Sequence, residues 1–299
     1  MTRCALFALV FSSQAALAEV PRVVTDIFPV QGLAAAVMDG LGTPDIILPP
    51  GADPHGYAMR PSDAAALEAA ALVIWVGEGL TPWLEDPIGT LAGDATILEL
   101  LEIEGTRLIE TGGEYEDEQG HDDHGHGPID PHAWLDPDNA LVWVAAIAEA
   151  LAATDPDNAA RYRGNARETS AQIAAQIRQA EASLSGLDGT AYAVHHDAYR
   201  YFENRFGLTH EFAVISYEGD KPGPRRIAKL QRIARDADVI RLVAEPSLDV
   251  SRLADTLFAP GSANICRIDP LGTGIEPGKH HYRLFLQDLT ERMRTCLQP

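Results

Sequence analysis

Three histidines in this chain stand where their side chains could converge on a metal ion. Two of them close Asp-Pro-His segments: His55 comes after the apolar run at 46–48, and His132 lies in DPHAWLDP. The third, His196, lies in VHHDAYRYF, after another apolar run. Imidazole nitrogens are good ligands for zinc, which takes four ligands and imposes no geometry of its own. These three contexts therefore predict a metal site.

An aspartate supplies the expected fourth ligand. Asp269 follows a short strand-like stretch in CRIDPLG, a setting like that of the histidines. Four protein ligands leave no position for an activated water, whereas a catalytic zinc site keeps one position open. The chain also lacks HExxH, G-x-S-x-G and P-loop motifs. We therefore expect a metal carrier and not an enzyme; the alternative, an exported zinc hydrolase, needs a general base beside a metal-bound water.

The first residues have the pattern of an export signal. Arg3 precedes an apolar run over 5–11, and residues 16–18 give the small-x-small pattern of a signal-peptidase site, so we expect removal of residues 1–18. Cys4 lies far from that cut, so a lipid anchor is not indicated. No later apolar run reaches the roughly 18 residues that a membrane span needs. We expect the mature chain in the periplasm.

The mature chain would keep two cysteines, Cys266 and Cys296. An even count in an oxidising compartment favours a disulfide, and we expect these two residues to pair. Closing a loop of that length adds roughly 3 kcal/mol in the chain-entropy model. Metal binding by the two thiols is disfavoured because they lack CxxC spacing.

The net charge of the mature chain disfavours some classes of binding partner. Removal of the leader, whose only charged residue is Arg3, leaves 22 basic and 44 acidic residues, a formal net charge of −22. Such a surface repels phosphate backbones and anionic lipid headgroups, so neither nucleic acid nor a membrane surface is an expected partner. It also concentrates divalent cations, although acidic solubility explains the charge equally well.

Strand-like runs alternate with helical patterns along the chain. This alternation predicts an α/β fold, with parallel sheets flanked by helices. The predicted strands are 22–25, 45–48, 72–76, 191–195, 210–215 and 239–244, and the helical stretches include 61–71 and 139–153.

One helical segment is longer than a single α/β lobe needs. It runs from Asp155, the expected N-cap before Pro156, to about Leu184. Its buried face is predicted from apolar residues at spacings of 4, 3 and 4, namely Ile173, Ile177, Ala180 and Leu184. We expect this helix, 155–185, to join an amino-terminal metal-binding lobe, 19–154, to a carboxy-terminal metal-binding lobe, 186–299.

Six segments that span nearly the whole mature chain carry a resemblance to a known family. They are PPGADPHGYAMRPSD, ALVIWVGEGL, DPHAWLDPDN, HHDAYRYF, AEPS and IDPLG. They resemble, in order, the signatures of the cluster A-I substrate-binding proteins of bacterial ABC transporters, the zinc and manganese family. The resemblance implies two lobes bridged by one long helix, a metal ion buried between them, and delivery to a membrane permease. We expect a monomer that binds one Zn²⁺.

The resemblance also assigns the ligands. His55 and His132 match the first and second histidines of the family, and Asp269 matches its last ligand. At the third position His196, rather than His195, keeps the register of the following Asp-Ala-Tyr; neighbouring side chains on an extended segment point to opposite sides, so only one can enter the site. A histidine there implies zinc. Manganese or iron is the alternative cargo, because manganese binders of the family usually have glutamate at this position.

Other polar residues receive lesser roles. Glu245, in AEPS, follows a predicted strand, and we expect it near the cleft as a hydrogen-bond acceptor for a ligand imidazole. His210 and the pair His280-His281 match no family signature, and we expect no metal role for them.

A histidine-rich segment, 112–130, interrupts the amino-terminal lobe. It sets His121, His124 and His126 among carboxylates and glycines with no apolar pattern, which predicts a surface loop. It resembles the histidine-rich loop of many zinc-binding members of the family. We interpret it as an auxiliary site that captures zinc or accepts it from a periplasmic donor protein; the alternative is an acidic linker without a metal role.

Deletion of residues 114–126 separates these two interpretations. We expect the tight site to keep its affinity for zinc and the rate of loading to fall when zinc is scarce, because the deletion removes only the capture step. Equilibrium titration measures the first quantity and rapid-mixing kinetics the second. Equal loading rates with and without the segment would favour the linker.

Overall fold

The computed structural model describes residues 20–111, 129–215 and 222–298, and it contains two parallel β-sheets. The first sheet has the order β2-β1-β3-β4 and the second the order β6-β5-β7-β8. All strand pairs in both sheets are parallel. The predicted α/β fold with two lobes of parallel sheet is confirmed.

The strands are short and most have apolar interiors. β3 is buried along its whole length, as expected for a strand with helices on both faces of its sheet. The strands are β1 Val23–Thr25, β2 Asp45–Ile46, β3 Leu72–Trp75, β4 Thr96–Glu99, β5 Ala193–His196, β6 Phe212–Ile215, β7 Arg241–Ala244 and β8 Asn264–Arg267.

Helices connect successive strands and cover both sheets. They are α1 Phe28–Val37, α2 Pro61–Glu68, α3 Pro82–Leu91, α4 Pro137–Thr154, α5 Ala159–Leu184, α6 Arg200–Phe206, α7 Pro224–Asp236, α8 Ser251–Leu257 and α9 His281–Leu297. Among the residues that the structure describes, no helix is both long enough and apolar enough to cross a bilayer.

The six strands predicted from the sequence are present, each shorter than predicted. β4 was not predicted, because it lies at the edge of the first sheet, where two of its four residues are exposed and the apolar signal is weak. β8 also lies at an edge and was anticipated only as a strand-like stretch before Asp269.

The predicted linking helix is present as α5, with Ile173, Ile177, Ala180 and Leu184 on its buried face. Its 26 residues span about 39 Å at the usual rise per residue. Asp155 is the N-cap of the 3₁₀ turn, Pro156–Asn158, that leads into α5, with Pro156 in the first position, but its side chain makes no capping hydrogen bond. The Asp155 carboxylate instead accepts hydrogen bonds from Asn158 and Tyr162.

The carboxy-terminal helix α9 returns to the amino-terminal half of the chain. It packs against α1 and α5 and also contacts β7 and β8. Contact with α1 is close at Gly32, where a Cβ atom would lie 2.8 Å from the Cβ of His281. Helix α9 is therefore a second element, after α5, that connects the two lobes.

The predicted disulfide between Cys266 and Cys296 is present and joins β8 to α9. Two other predictions concern parts of the chain outside the described residues: the leader, 1–18, and the histidine cluster at 121, 124 and 126.

Replacing both cysteines tests how much this bridge stabilises the fold. The cysteines are 30 residues apart, so the Cys266→Ala/Cys296→Ala variant should lose about 2–4 kcal/mol of unfolding free energy, since its unfolded chain is less constrained. Urea denaturation of the oxidised protein and the variant measures the loss. Unfolding curves that coincide would contradict a stabilising role for the bridge.

Candidate metal centre

Aspartate-proline segments form the same local turn at several places in this chain. In each, the Oδ1 atom of the aspartate accepts a hydrogen bond from the backbone N–H two residues later, while the proline fixes the backbone between them. The distances from the backbone nitrogen to Oδ1 are 2.8 Å for His55 and Asp53, 3.0 Å for His132 and Asp130, 2.9 Å for Asp138 and Asp136, and 2.9 Å for Leu271 and Asp269. The Asp-Pro pair therefore orients the residue that follows it.

Each of the three predicted histidines lies at the carboxyl end of a strand or in the loop beyond one. His55 lies after β2, His132 immediately precedes the 3₁₀ turn Ala133–Leu135, and His196 is the last residue of β5. Parallel α/β sheets gather ligands at these ends of their strands. The first two come from the amino-terminal half of the chain and the third from the second sheet.

The fold brings these three imidazoles together. The ring centroids of His55 and His132 are 5.5 Å apart, those of His55 and His196 5.9 Å, and those of His132 and His196 4.9 Å. One nitrogen from each ring lies within 4.8 Å of the other two. Nitrogens around a tetrahedral zinc ion are separated by about 3.3 Å, as follows from Zn–N distances near 2 Å. Small side-chain movements would close the cluster around one ion.

His132 has the hydrogen bonding of a metal ligand. The residue is 3 % exposed, and its Nδ1 atom donates to Asp130 Oδ1 over 2.7 Å. Because a carboxylate only accepts, this bond leaves the lone pair on Nε2. That atom is buried and has no hydrogen-bond partner among the described residues. A carboxylate that holds the outer nitrogen of an imidazole is the usual support for a metal-binding histidine.

His196 and His195 face different surroundings. His196 belongs to the three-histidine cluster, and its Nδ1 atom lies 3.5 Å from Glu245 Oε1. Glu245 therefore lies beside one of the imidazoles of the cluster. His195 lies outside the cluster, and burial, together with the charge of His196, lowers its pKa to about 4. Its place outside the cluster agrees with the alternation of neighbouring side chains along a strand.

Asp269 lies in the wall of the cavity but not in the histidine cluster. The cavity has a volume of about 400 Å³, and His132, His196 and Glu245 also line it. Both oxygens of Asp269 are hydrogen bonded within their own turn: Oδ1 accepts from Leu271, and Oδ2 accepts from the backbone N–H and the hydroxyl of Thr273, both at 2.7 Å. The turn thus orients the carboxylate at the edge of the site.

Two tryptophans hold the turns around the site, a role that the sequence analysis missed. The indole of Trp83 donates to the carbonyl oxygen of Pro54 at 2.6 Å, and that of Trp134 donates to Pro270 at 2.7 Å. Trp134 is buried, and its ring lies 5.3 Å from that of His132. An indole can only donate, so a prolyl carbonyl is a suitable partner. No pattern in the sequence pairs a tryptophan with a distant proline.

His210, for which no metal role was expected, is engaged elsewhere. Its Nδ1 atom lies 2.8 Å from Glu203 Oε2, and Glu203 also accepts from the hydroxyl of Tyr192. Burial opposes a charge on His210, but the hydrogen bond and the negative charge of Glu203 outweigh it and raise the pKa. This histidine belongs to a buried polar network of the second lobe.

Fold and site together define a protein of two α/β lobes, joined by helices, that brings three histidines from both lobes together, two of them in the wall of one cavity. The chain belongs to the family described as zinc-uptake complex component A, periplasmic (ZnuA), whose model matches residues 23–296. The predicted kinship with cluster A-I binding proteins is thereby confirmed.

Individual relatives agree with this assignment. The high-affinity zinc uptake system protein ZnuA of Paracoccus denitrificans is 36% identical over 304 residues, which cover 94% of this chain and 93% of that protein. A crystal structure of ZnuA superposes with a TM-score of 0.76 at 20% identity and covers 93% of this chain and 100% of its own. The laminin-binding adhesin Lmb of Streptococcus agalactiae has a TM-score of 0.77 at 21% identity, with the same coverage. These two structures share the fold.

The Asp130–His132 contact leads to a prediction about metal affinity. Asp130→Asn should weaken binding of a divalent transition metal by about tenfold or more, because the neutral amide supports the basicity of the imidazole less well than a carboxylate does. Titration calorimetry with Co²⁺ and Zn²⁺ measures the change. The matched control is Asp136→Asn, which alters the same kind of turn where the carboxylate pairs with Arg107. An equal loss of affinity in both variants would contradict the specific role of Asp130.

Proposed function

We propose that this protein captures zinc and delivers it to the membrane permease of a zinc-uptake ABC system. The observation that carries the proposal is the cluster of three imidazoles in which the Nε2 atom of His132 is buried without a partner among the described residues. Membership of the zinc-uptake component family supports the choice of cargo and role.

His55, His132 and His196 are the proposed zinc ligands, with Asp269 as the fourth. Asp269 Oδ1 accepts one hydrogen bond, from Leu271, and keeps a lone pair for the ion, whereas Oδ2 accepts two from Thr273. A short movement of this turn or of the histidines would complete a tetrahedral site. Glu245 would then support the His196 imidazole from outside the coordination shell.

The donor set favours zinc over manganese or iron. Three nitrogen ligands and one oxygen suit zinc, whereas manganese prefers carboxylate and carbonyl oxygens. Manganese or iron remains the second candidate cargo, since Glu245 and Asp269 add oxygens to the same cavity.

A carrier fits the site better than a hydrolase does. A hydrolytic zinc site needs an open coordination position and a general base close to the bound water. In the proposed site Asp269 fills the fourth position and Glu245 stands beside His196. The ion is therefore cargo, and the protein has no catalytic role of its own.

The cellular setting completes the proposal. The expected leader, 1–18, would export the chain to the periplasm, where family members are the periplasmic component of a zinc-uptake complex. The protein would act there as a monomer and dock on the permease when loaded. The segment 112–130 would collect zinc through His121, His124 and His126, or receive it from a donor protein, and pass it to the buried site.

Single alanine substitutions test the ligand set. We expect His132→Ala and His196→Ala to lose most of the affinity for Zn²⁺, because each removes one of four ligands. Titration calorimetry in competition with a chelator measures the change. His195→Ala is the matched control: it removes the adjacent imidazole, which lies outside the cluster, and should bind zinc nearly as well as the unmodified protein.

Unchanged affinity in both His132→Ala and His196→Ala would refute the proposed site. Stronger binding of Mn²⁺ than Zn²⁺ in direct competition would favour the second cargo. Because the general order of metal affinities also favours zinc over manganese, the comparison of ligand variants carries more weight than the metal found in the purified protein.

A further inference from the structure

His281, the first residue of α9, is completely buried although it carries a titratable ring. The centroid of its imidazole lies 6.0 Å from the ring centroid of Phe28 and 6.3 Å from that of Phe285. A buried histidine in an apolar site normally needs a hydrogen-bond partner. The identity of this hydrogen-bond partner indicates a role for His281.

That partner is the backbone of the turn that carries Asp269. The Nε2 atom of His281 lies 3.1 Å from the carbonyl oxygen of Gly272. Burial lowers the pKa of His281 against the opposing effects of this hydrogen bond and of the Asp269 charge. A carbonyl only accepts, so Nε2 carries the hydrogen and donates it. Nδ1 has no hydrogen-bond partner among the described residues.

The turn fits closely against α9 at this point. Gly272 has a φ of +63°, a conformation that favours glycine, and a Cβ atom there would lie 2.8 Å from the Phe285 ring and 3.3 Å from the His281 ring. The same turn receives the hydrogen bond from Trp134 to Pro270. It is therefore fixed from two sides, by an indole of the amino-terminal lobe and by an imidazole of α9.

Helix α9 is in turn fixed to the amino-terminal lobe. His281 packs on Gly32 of α1. Just before α9, the backbone N–H of Gly278 donates to the side chain of Gln31, which also belongs to α1. The hydroxyl of Tyr282 donates to the carbonyl oxygen of Trp134. A continuous set of contacts thus runs from α1 through His281 to the turn of Asp269.

We propose that His281 is a positioning residue for the metal site: by holding Gly272 it sets where the Asp269 carboxylate stands relative to the three histidines. The proposal rests on the proposed function, since it takes Asp269 as a zinc ligand. His281 itself does not touch the ion.

Matched substitutions separate the hydrogen bond from the packing of the ring. His281→Phe keeps an aromatic ring and removes the donor, and we expect about a tenfold loss of Zn²⁺ affinity. His281→Gln places an amide N–H near the position of Nε2 and should keep most of the affinity. His281→Asn has the same amide on a shorter side chain that cannot reach Gly272, so it should bind zinc as weakly as the phenylalanine variant. If His281→Phe does not fold, the comparison of His281→Gln with His281→Asn tests the same hydrogen bond.

A double-mutant cycle tests whether the effect passes through Asp269. Asp269→Asn should weaken zinc binding, and adding His281→Phe to it should cause no further loss. Hydrogen exchange of the zinc-free protein supplies a second measurement: the amides of Leu271 and Thr273, which donate to Asp269, should exchange faster in His281→Phe and at the original rate in His281→Gln.

Any one of three results would overturn the proposal. The first is unchanged zinc affinity in both His281→Phe and His281→Asn. The second is a loss of affinity from His281→Phe that is equal with and without Asp269→Asn, and the third is unchanged affinity in Asp269→Asn. The His132→Ala variant distinguishes failure of this proposal from failure of the proposed function. If His132→Ala loses zinc binding while any of these results holds, the zinc site stands and only the role of His281 is rejected.

Discussion

Burying an imidazole nitrogen that has no hydrogen-bond partner costs the folded protein free energy, on the order of 1–3 kcal/mol. His132 carries this cost because Asp130 occupies its Nδ1 atom and the surrounding side chains exclude water from its Nε2 atom. A divalent cation is the partner that offsets the cost, and it favours the same neutral tautomer. The remaining features of the site orient the imidazoles and hold them close together.

Local turns supply the orientation. The Asp-Pro pair recurs at His55, His132 and Leu271, and at each place the aspartate accepts the backbone N–H two residues later. At His132 the same Oδ1 atom also accepts from the ring, so one side chain sets both the backbone and the tautomer. At Asp269 the aspartate of the turn is itself the proposed ligand. The Asp-Pro dipeptide therefore orients a proposed histidine ligand in two turns of the site and supplies the proposed carboxylate ligand in a third.

Longer-range contacts decide how the two halves of the site meet. His196 belongs to the second sheet, whereas the turn of Asp269 is held by Trp134 of the amino-terminal lobe and by His281 of α9. Helix α9 packs on α1 and α5, and the disulfide from Cys266 to Cys296 ties it to β8. The site thus depends on a carboxy-terminal helix that contributes no ligand.

The sequence alone determined the fold class, six of the strands, the long helix and the positions of His55 and His132, because apolar periodicity and the Asp-Pro turn are properties of neighbouring residues. The choice of His196 over His195 came from the resemblance to the family. The sequence also indicated the pairing of the two cysteines. Only the tertiary structure decided that Trp134 and His281 hold the turn of Asp269 and that β4 forms an edge strand. These features arise from contacts between residues far apart in the chain, with partners at distances such as 136 residues for Trp134 and Pro270. No local pattern encodes such a contact, since it exists only once both lobes have packed.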